Sequence, residues 1–586
     1  MLKRIVRTDI DAHFESIQFI GSAGAWDPSG ERFGFGAVRD GRPVLSILNV
    51  PEDRIEREIA LPELGEVLNP TWSPNGRQVA FSALVGGLSD LYLYDLERSE
   101  LKRLTDDAYA DLQPAWSPDG RTLAWVTDRF STKLGNLDYG NYRLGLFDLG
   151  TGRGRELAAF PEGKHLNPQW ASDGTSLYFV SDQNGIPNLY RIEVAGGRIT
   201  QLTNLYAGVS GITDLSPALT VASRSGEVAF SVYSNDGYSI YVADDPAVLV
   251  DGPVGQPLAG GDPAMLPPRQ RQSQVLTQNA NAFFGLPSDT GGFAQQPYRA
   301  RLGLDYISQP SLAVGADRFG TYIGGGASLF WSDMLGGHNL ATGVQFQGTT
   351  KDISALLGYS NTYHRLNWGA AVQQIPYRIG YVQLGSDTLP GTSFVVPVQR
   401  TTLFRQTNRQ ADWVFAYPFS RVRRIEGSVG YANINYDIEQ IDDYLHPITF
   451  DVLDQVKTEL ATYPALNLGQ GSAALVYDNA LFGFTGPMLG QRYRMELGTT
   501  QGSLNFQTVL ADYRKYVMPA RPFTLAARVL HYARYGTDST ESSRMQPLFM
   551  GYDGLVRGYS YGSFESSDCS TPDCPEFFNL FGTKML

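Results

Sequence analysis

Trp116-Ser-Pro-Asp-Gly120 decides how this chain is read, because it recurs as Trp26-Asp-Pro-Ser-Gly30, Trp72-Ser-Pro-Asn-Gly76 and Trp170-Ala-Ser-Asp-Gly174, with a weaker Leu215-Ser-Pro217. The copies stand roughly 45–55 residues apart, close to the length of a four-stranded propeller blade. The phrase is a turn. Pro74 and Pro118 preset φ at its first corner, Asp or Asn bonds its own backbone, and Gly76, Gly120 and Gly174 accept positive φ. A short apolar strand follows each turn, at Gln78–Ser82, Thr122–Val126, Ser176–Val180 and Glu227–Val232. An alternating strand comes next, at Asp90–Asp95, Arg143–Asp148 and Asn188–Ile192, and then a polar turn and the pairs Leu104-Thr105 and Leu202-Thr203. Each unit therefore reads strand, turn, strand, turn. Trp26, Trp72, Trp116 and Trp170 are assigned to packing between blades rather than to a ligand site.

Composition agrees with an all-β chain. Of 586 residues, 42% are hydrophobic and 18% charged, which excludes disorder, and 63 glycines with 12% aromatics favour strands. A formal net charge of −13 argues against nucleic acid as a partner. The two cysteines, Cys569 and Cys574, allow one local disulfide or two thiols and exclude a four-thiolate metal site. Asp9 and Asp11 interrupt the basic N-terminal stretch before an apolar core can form, so no signal peptide is expected. No run approaches the ~20 apolar residues of a spanning helix, which leaves a soluble protein or a β-barrel.

Residues 1–245 are assigned to the propeller, with about five blades; either N-terminal blades are missing or the first 20 residues complete a partial ring. Residues 246–297, rich in Gly, Pro, Gln and Asn, read as a linker. From 298 to 586 the strands are longer and alternate. Tyr493, Met495 and Leu497 oppose Arg492, Arg494 and Glu496; Leu366, Trp368, Ala370 and Val372 oppose Arg365, Asn367, Gly369 and Gln373. Similar two-sidedness runs through Thr321–Trp331 and Ile425–Tyr431. About eleven strands of about 10–12 residues are expected. Leu389–Pro397 and Gln440–Gly469 are read as the long loops. Aromatics at strand ends (Tyr359, Tyr363, Tyr377, Tyr381, Tyr417, Tyr431) favour an outer-membrane barrel, with apolar residues toward lipid and polar ones toward a wet lumen.

Two resemblances follow. The Trp-Ser-Pro-Asp-Gly repeat resembles the TolB-like (WD40-like) β-propeller, also found in tricorn-type and prolyl-oligopeptidase-type peptidases, over about residues 20–245. Ala474–Asn479 with Gly490–Glu496, Asp333-Met-Leu-Gly-Gly337 and above all Val556-Arg-Gly-Tyr559 resemble the BamA/TamA superfamily, the bacterial surface-antigen barrel, over about residues 298–586. That likeness implies a loop folded into the lumen, with Arg557 paired to the inner wall and Val556, Gly558 and Tyr559 shaping its tip. It also implies an outer-membrane protein, its propeller in the periplasm, with lipid and polypeptide substrates as partners. The barrel would insert or translocate polypeptide, or form a pore, through a seam whose first strand is Tyr298–Ile307. Few residues follow Tyr559, so the barrel is expected to lack its last strands and the chain to be truncated at both ends.

An enzyme reading competes. Gly558-Tyr-Ser-Tyr-Gly562 matches a nucleophile elbow, but no histidine follows Ser560 and no alternating strand and helix pattern precedes it, so no catalytic residue is assigned. Another alternative is a propeller binding module on a passive barrel anchor. Asp106-Asp107, Asp244-Asp245 and Asp442-Asp443 read as solvated turn acids; no metal or cofactor is expected.

Overall fold

Among the described residues the computed structural model is nearly devoid of helix. It describes residues 13–17, 20–205, 207–234, 236–244, 249, 252–253, 297–317, 320–348, 350–541, 544–545, 548–551, 554–555, 569–571 and 579–585. Two compact units form: one holds residues 1–294 with 482–488 and 518–525, the other holds the remainder.

The first unit is a five-bladed propeller. Blade one pairs the split inner strand, Ser16–Ile17 and Ala25–Trp26, with Arg32–Arg39, Arg42–Asn49 and Arg54–Ala60. Blade two is Glu66–Trp72, Gln78–Val85, Leu88–Asp95 and Glu100–Arg103; blade three is Asp111–Trp116, Thr122–Thr127, Arg143–Asp148 and Arg153–Leu157. Blade four is His165–Trp170, Ser176–Ser181, Asn188–Glu193 and Ile199–Gln201, with Gly252–Pro253 added outside. Among the described residues blade five has three strands, Leu219–Val221, Val228–Ser234 and Gly237–Ala243.

The repeated phrase forms the turn between the first two strands. In blade two the Gly76 amide donates to the Ser73 carbonyl at 2.8 Å, and Gly76 sits at φ +70°. In blade three Ser117 donates to the Asp119 carboxylate at 2.6 Å, and that bond, with the Arg121 amide, holds Asp119 below the usual carboxylate range. Successive turns lie against each other: a Cβ placed on Gly120 would stand 3.7 Å from Pro74 Cδ. The fifth turn is not Leu215-Ser-Pro217 as expected. It is Ala222–Glu227, closed by the Ala222 amide on the Glu227 carbonyl at 2.8 Å, with Val221 paired to Val228 as Trp170 is to Leu177. Without Trp or the Pro-Asp-Gly order, that copy carries no visible signature. The Leu-Thr pairs close the blades: the Leu189 amide donates to Thr203 Oγ1 at 2.9 Å, as Leu91 does to Thr105.

Adjacent blades share buried cores. Leu45 and Ile47 of blade one meet Val79 and Phe81 of blade two. Leu91 meets Trp116 and Leu123, Leu144 meets Phe179 and Tyr190, and Leu189 meets Val228 and Phe230. Each such side chain contributes roughly 1.5–3 kcal/mol of burial. Blades five and one are joined instead by polar contacts: Ser216 to the Ile20 carbonyl and Arg224 to the Pro28 carbonyl, the latter at 2.6 Å.

Among the described residues the second unit is built on one antiparallel sheet of fifteen strands, with Leu548–Phe549 and Phe581–Gly582 paired apart from it. Gly303–Ile307, Gly320–Ser332, His338–Gln347, Ile353–Asn361, Asn367–Thr388, Val395–Pro418, Arg423–Leu445, Leu466–Asp478, Pro487–Gly502, Phe506–Ala520, Phe523–Tyr535 and Lys584–Met585 lie side by side in chain order. Ser311–Asp317, Val452–Leu460 and Leu481–Phe482 each pair with one of these. One expectation is corrected. Gln440–Gly469 is mostly strand, since Arg423–Leu445 runs 23 residues and Val452–Leu460 pairs back on it. Both faces carry polar groups there, so no alternation marks it. Near the end of the described residues, Lys584–Met585 pairs with Tyr532 and Ala533.

Candidate functional site

Consecutive first strands pack on one another round the propeller axis, and those of blades two, three and four each bend at one residue just before a proline. Asn69, Gln113 and Asn167 have φ of +51°, +49° and +53°, each at a register slip in its strand. The bend turns their amides onto neighbouring backbones. Asn167 Oδ1 accepts from the Ala218 and Leu219 amides, both at 2.8 Å. Gln113 Oε1 accepts from the Asn167 amide and its Nε2 donates to the Leu215 carbonyl, both at 2.7 Å, which ties blade three to blades four and five. Asn69 Oδ1 accepts from the Ala23 amide at 3.1 Å. Gln113 and Asn167 are buried, so at this level the axis is closed by satisfied amides. The sequence signal was present as Asn69-Pro, Gln113-Pro and Asn167-Pro, each three residues before a Trp; the repeat was read from the Trp forward.

The tryptophans brace the ring. Trp72, Trp116 and Trp170 Nε1 donate to the carbonyls of Ala25, Thr71 and Ala115 in the preceding blade, at 3.1, 3.2 and 3.1 Å. Trp26 departs from this pattern and is 53% exposed. Exposure continues on the face of blade five that is turned away from blade four, where Tyr233, Tyr238, Ile240 and Val242 are 46%, 47%, 76% and 61% exposed.

Two buried titratable groups of the propeller are already engaged. Burial pushes the Asp111 carboxyl up, against the pull of the hydroxyl and indole groups around it; it accepts from Trp125 Nε1 at 2.8 Å and pairs with Arg129 at 3.3 Å. Burial, aided by the Arg143 charge, holds the His165 imidazole below its ordinary 6.5, against a hydrogen bond to the Phe160 carbonyl. Both are braces.

In the second unit apolar side chains are exposed on one face of the sheet and charged ones pair on the other. Cross-strand register places Trp368, Ala370 and Val372 beside Phe415, Trp413 and Ala411. The same face continues through Tyr417, Ile425, Val429 and Tyr431 to Leu475, Met495, Leu497 and Tyr513. These side chains point outward: Val372 is 57%, Val429 58% and Leu497 66% exposed. Neighbouring positions carry a linked polar network on the other face. Glu426 accepts from Arg424 and Arg494, both at 2.5 Å, Arg494 reaches Glu496 at 2.7 Å, and Asp512 holds Arg514 and Arg528 at 2.7 and 3.0 Å. Gln373 donates to Gln410 at 3.1 Å and Ser428 meets Ser472 at 2.8 Å.

Val556, Arg557, Gly558, Tyr559 and Ser560 lie outside the described residues, as does Cys574; Cys569 is disulfide-bonded. The acid pairs are not simply solvated. Asp107 pairs with Arg129 and Asp106 with Arg103, while Asp442 and Asp443 sit in a strand rather than a turn, Asp442 binding Arg400 at 2.8 Å. Asp245 lies outside the described residues. Among the described residues no group of three or more His, Cys, Asp or Glu is placed to hold a metal, and no helix is long and apolar enough to cross a membrane.

Residues 14–133 match the family model described as the TolB beta propeller domain. A protein TolB homolog of Chlorobium luteolum is 32% identical over 176 residues, 30% of this chain and 37% of that protein. Dipeptidyl-peptidase 5 of Porphyromonas gingivalis is 27% identical over 204 residues, 30% of this chain and 28% of that protein. The chain thus spans about a third of the length of these relatives. Among solved structures, TolB from Acinetobacter baumannii aligns with 38% of this chain and 50% of its own at 18% identity and a TM-score of 0.31. The N-terminal region is a TolB-like β-propeller of five blades within an all-β chain.

Proposed function

We propose that the chain is an outer-membrane protein without enzymatic activity, whose second unit closes as a BamA-like transmembrane barrel and whose propeller binds polypeptide in the periplasm. The observation that carries this is the inverted sheet: apolar side chains stand outward while arginines and carboxylates pair on the opposite face. In water that arrangement costs free energy at every exposed Val, Leu and Trp, whereas in lipid it gains it. The Arg557 loop, by its resemblance, controls a seam at Gly303–Ile307, where an exposed edge offers strand pairing to a substrate. The apolar face of blade five, from Tyr233 to Val242, is the polypeptide-binding surface of the propeller.

The test is protease protection after folding into lipid vesicles. Protection of residues from about 298 onward, with loss of function on Arg557→Ala and none on Ser560→Ala, supports the proposal. A chain that stays in buffer and is cleaved throughout overturns the membrane reading. The likeness to a dipeptidyl-peptidase favours a propeller-bearing serine peptidase as second reading; loss of peptide hydrolysis on Ser560→Ala alone would establish it.

A further inference from the structure

The apolar face of the sheet ends differently in its two directions along the strands. Past the apolar band at one end the cations are paired: Arg405 reaches Asp352 and Asp437, Arg378 reaches Asp352 at 3.3 Å, and Lys351 reaches Asp437 and Glu459 at 3.3 and 3.1 Å. At the other end, where the turns 362–366 and 419–422 lie, Arg365, Arg423 and Lys515 are exposed, and none of them has a carboxylate partner among the described residues. Register sets Arg423 and Lys515 on the apolar face. Arg423, Tyr477, Tyr493 and Tyr513 stand in one row across four strands, and Lys515 lies two positions beyond Tyr513. The nearby acids Glu426, Asp478, Glu496 and Asp512 occupy alternate positions, so they point to the opposite face and pair with arginines there.

Tyrosines hold the two arginines in place. Arg365 lies over the Tyr417 ring at 5.1 Å and donates through Nε and Nη2 to the carbonyls of Pro418 and Phe419, both at 2.8 Å; its Nη1 makes no hydrogen bond among the described residues. Arg423 lies over Tyr477 at 5.3 Å, and Tyr477 stacks on Tyr493. Tyr417 pairs with Ile425, two residues from Arg423, so Tyr417 and Arg423 are diagonal neighbours about 7–8 Å apart. A guanidinium resting on a ring keeps its charge and still offers donors to a phosphate. The adjacent row, Ile425, Leu475 and Met495, is apolar and exposed. Unpaired cations at the rim of an open apolar surface match an anionic amphiphile, with its phosphate on the guanidiniums and its chains on the apolar row. Building on the membrane reading above, we propose that this end of the face binds an anionic phospholipid, its phosphate between Arg365 and Arg423, with Lys515 a second contact on the same belt. A zwitterionic headgroup brings an ammonium that these cations repel, so net negative charge is selected. Short turns mark the periplasmic end of such a barrel, which places the lipid in the inner leaflet.

The test folds the full chain into phosphatidylcholine vesicles that hold a trace of spin-labelled phosphatidylglycerol or spin-labelled phosphatidylcholine, and reads the motionally restricted fraction of each by electron paramagnetic resonance. Phosphatidylglycerol should be favoured about threefold at the protein surface, with the preference falling as salt rises. Arg365→Gln combined with Arg423→Gln should bring the ratio close to one while leaving the restricted phosphatidylcholine unchanged, which also shows that the variant has inserted. Arg365→Lys with Arg423→Lys should keep most of the preference, because the charge remains. Arg423→Gln alone, expected to remove about half of it, takes the place of the double variant should that one fail to insert. Equal restriction of the two lipids, or a preference that survives the glutamine variants, overturns the proposal and leaves the membrane reading standing. Loss of the preference in millimolar inorganic phosphate, but not in sodium chloride of the same ionic strength, reassigns the site to free phosphate and overturns the lipid. No restricted lipid of either kind overturns the membrane reading itself, and the proposal with it.

Discussion

The propeller and the sheet are built from the same alternation and use it in opposite senses. In the propeller, Phe81, Phe179 and Leu189 vanish between blades and acids such as Asp119 cap turns at the surface. In the sheet, Val429 and Leu497 face outward and Glu426 and Arg494 are linked on the other side. A strand's period of two says that it has two different faces, and neighbouring strands say which face is sheltered. Solvent then decides which polarity is stable: the first unit's suits water, and the second's would suit the hydrocarbon setting proposed for it.

The comparison breaks most readily at the propeller core. Phe179→Ala should cost about 3–5 kcal/mol, seen as a large fall in the melting temperature of the propeller transition. Next is Val429→Arg, expected to cost about 2–4 kcal/mol of stability folded in lipid if the face meets the bilayer midplane, and little if it faces water. Denaturant titration in vesicles measures it. A smaller effect belongs to the axis: Asn167→Ala strands the Ala218 and Leu219 amides, a loss of about 1–3 kcal/mol readable as faster hydrogen exchange there.

The smallest is pH dependence. His165 is held neutral by burial, below its ordinary 6.5, so the unfolded chain binds a proton that the folded one refuses. Its contribution to stability is present above about pH 6.5 and is lost as pH falls toward the depressed folded value. His165→Gln should flatten that part of the stability profile.

Much of this was legible in the residues. The Pro-Asp-Gly turns placed blades two to four, because a positive φ at Gly76, Gly120 and Gly174 demands a residue type that sequence shows directly. The positive φ of Gln113 was not legible: it is imposed by the neighbouring blades, and glutamine has no preference for it. The outward face of the sheet was visible wherever one face is apolar, as at Arg492–Leu497. It vanished over Gln440–Gly469, where the strands run past the apolar band and polar groups occupy both sides. A network just short of it, Arg405 bonded to Asp352 and Asp437 at 2.8 and 2.7 Å, joins residues far apart in the chain and so was not legible either.

The central claim is that the sheet's apolar face meets lipid, and one pair of adjacent residues tests it. Nitroxide labels on Val429→Cys and, separately, Ser428→Cys of the chain folded in lipid vesicles report collision with oxygen, which concentrates in hydrocarbon, or with a water-soluble nickel chelate. The account predicts that the label at 429 is relaxed by oxygen and spared by nickel, and that the label at 428 behaves in the opposite way. Nickel access at both positions, or the reverse pattern, would contradict it.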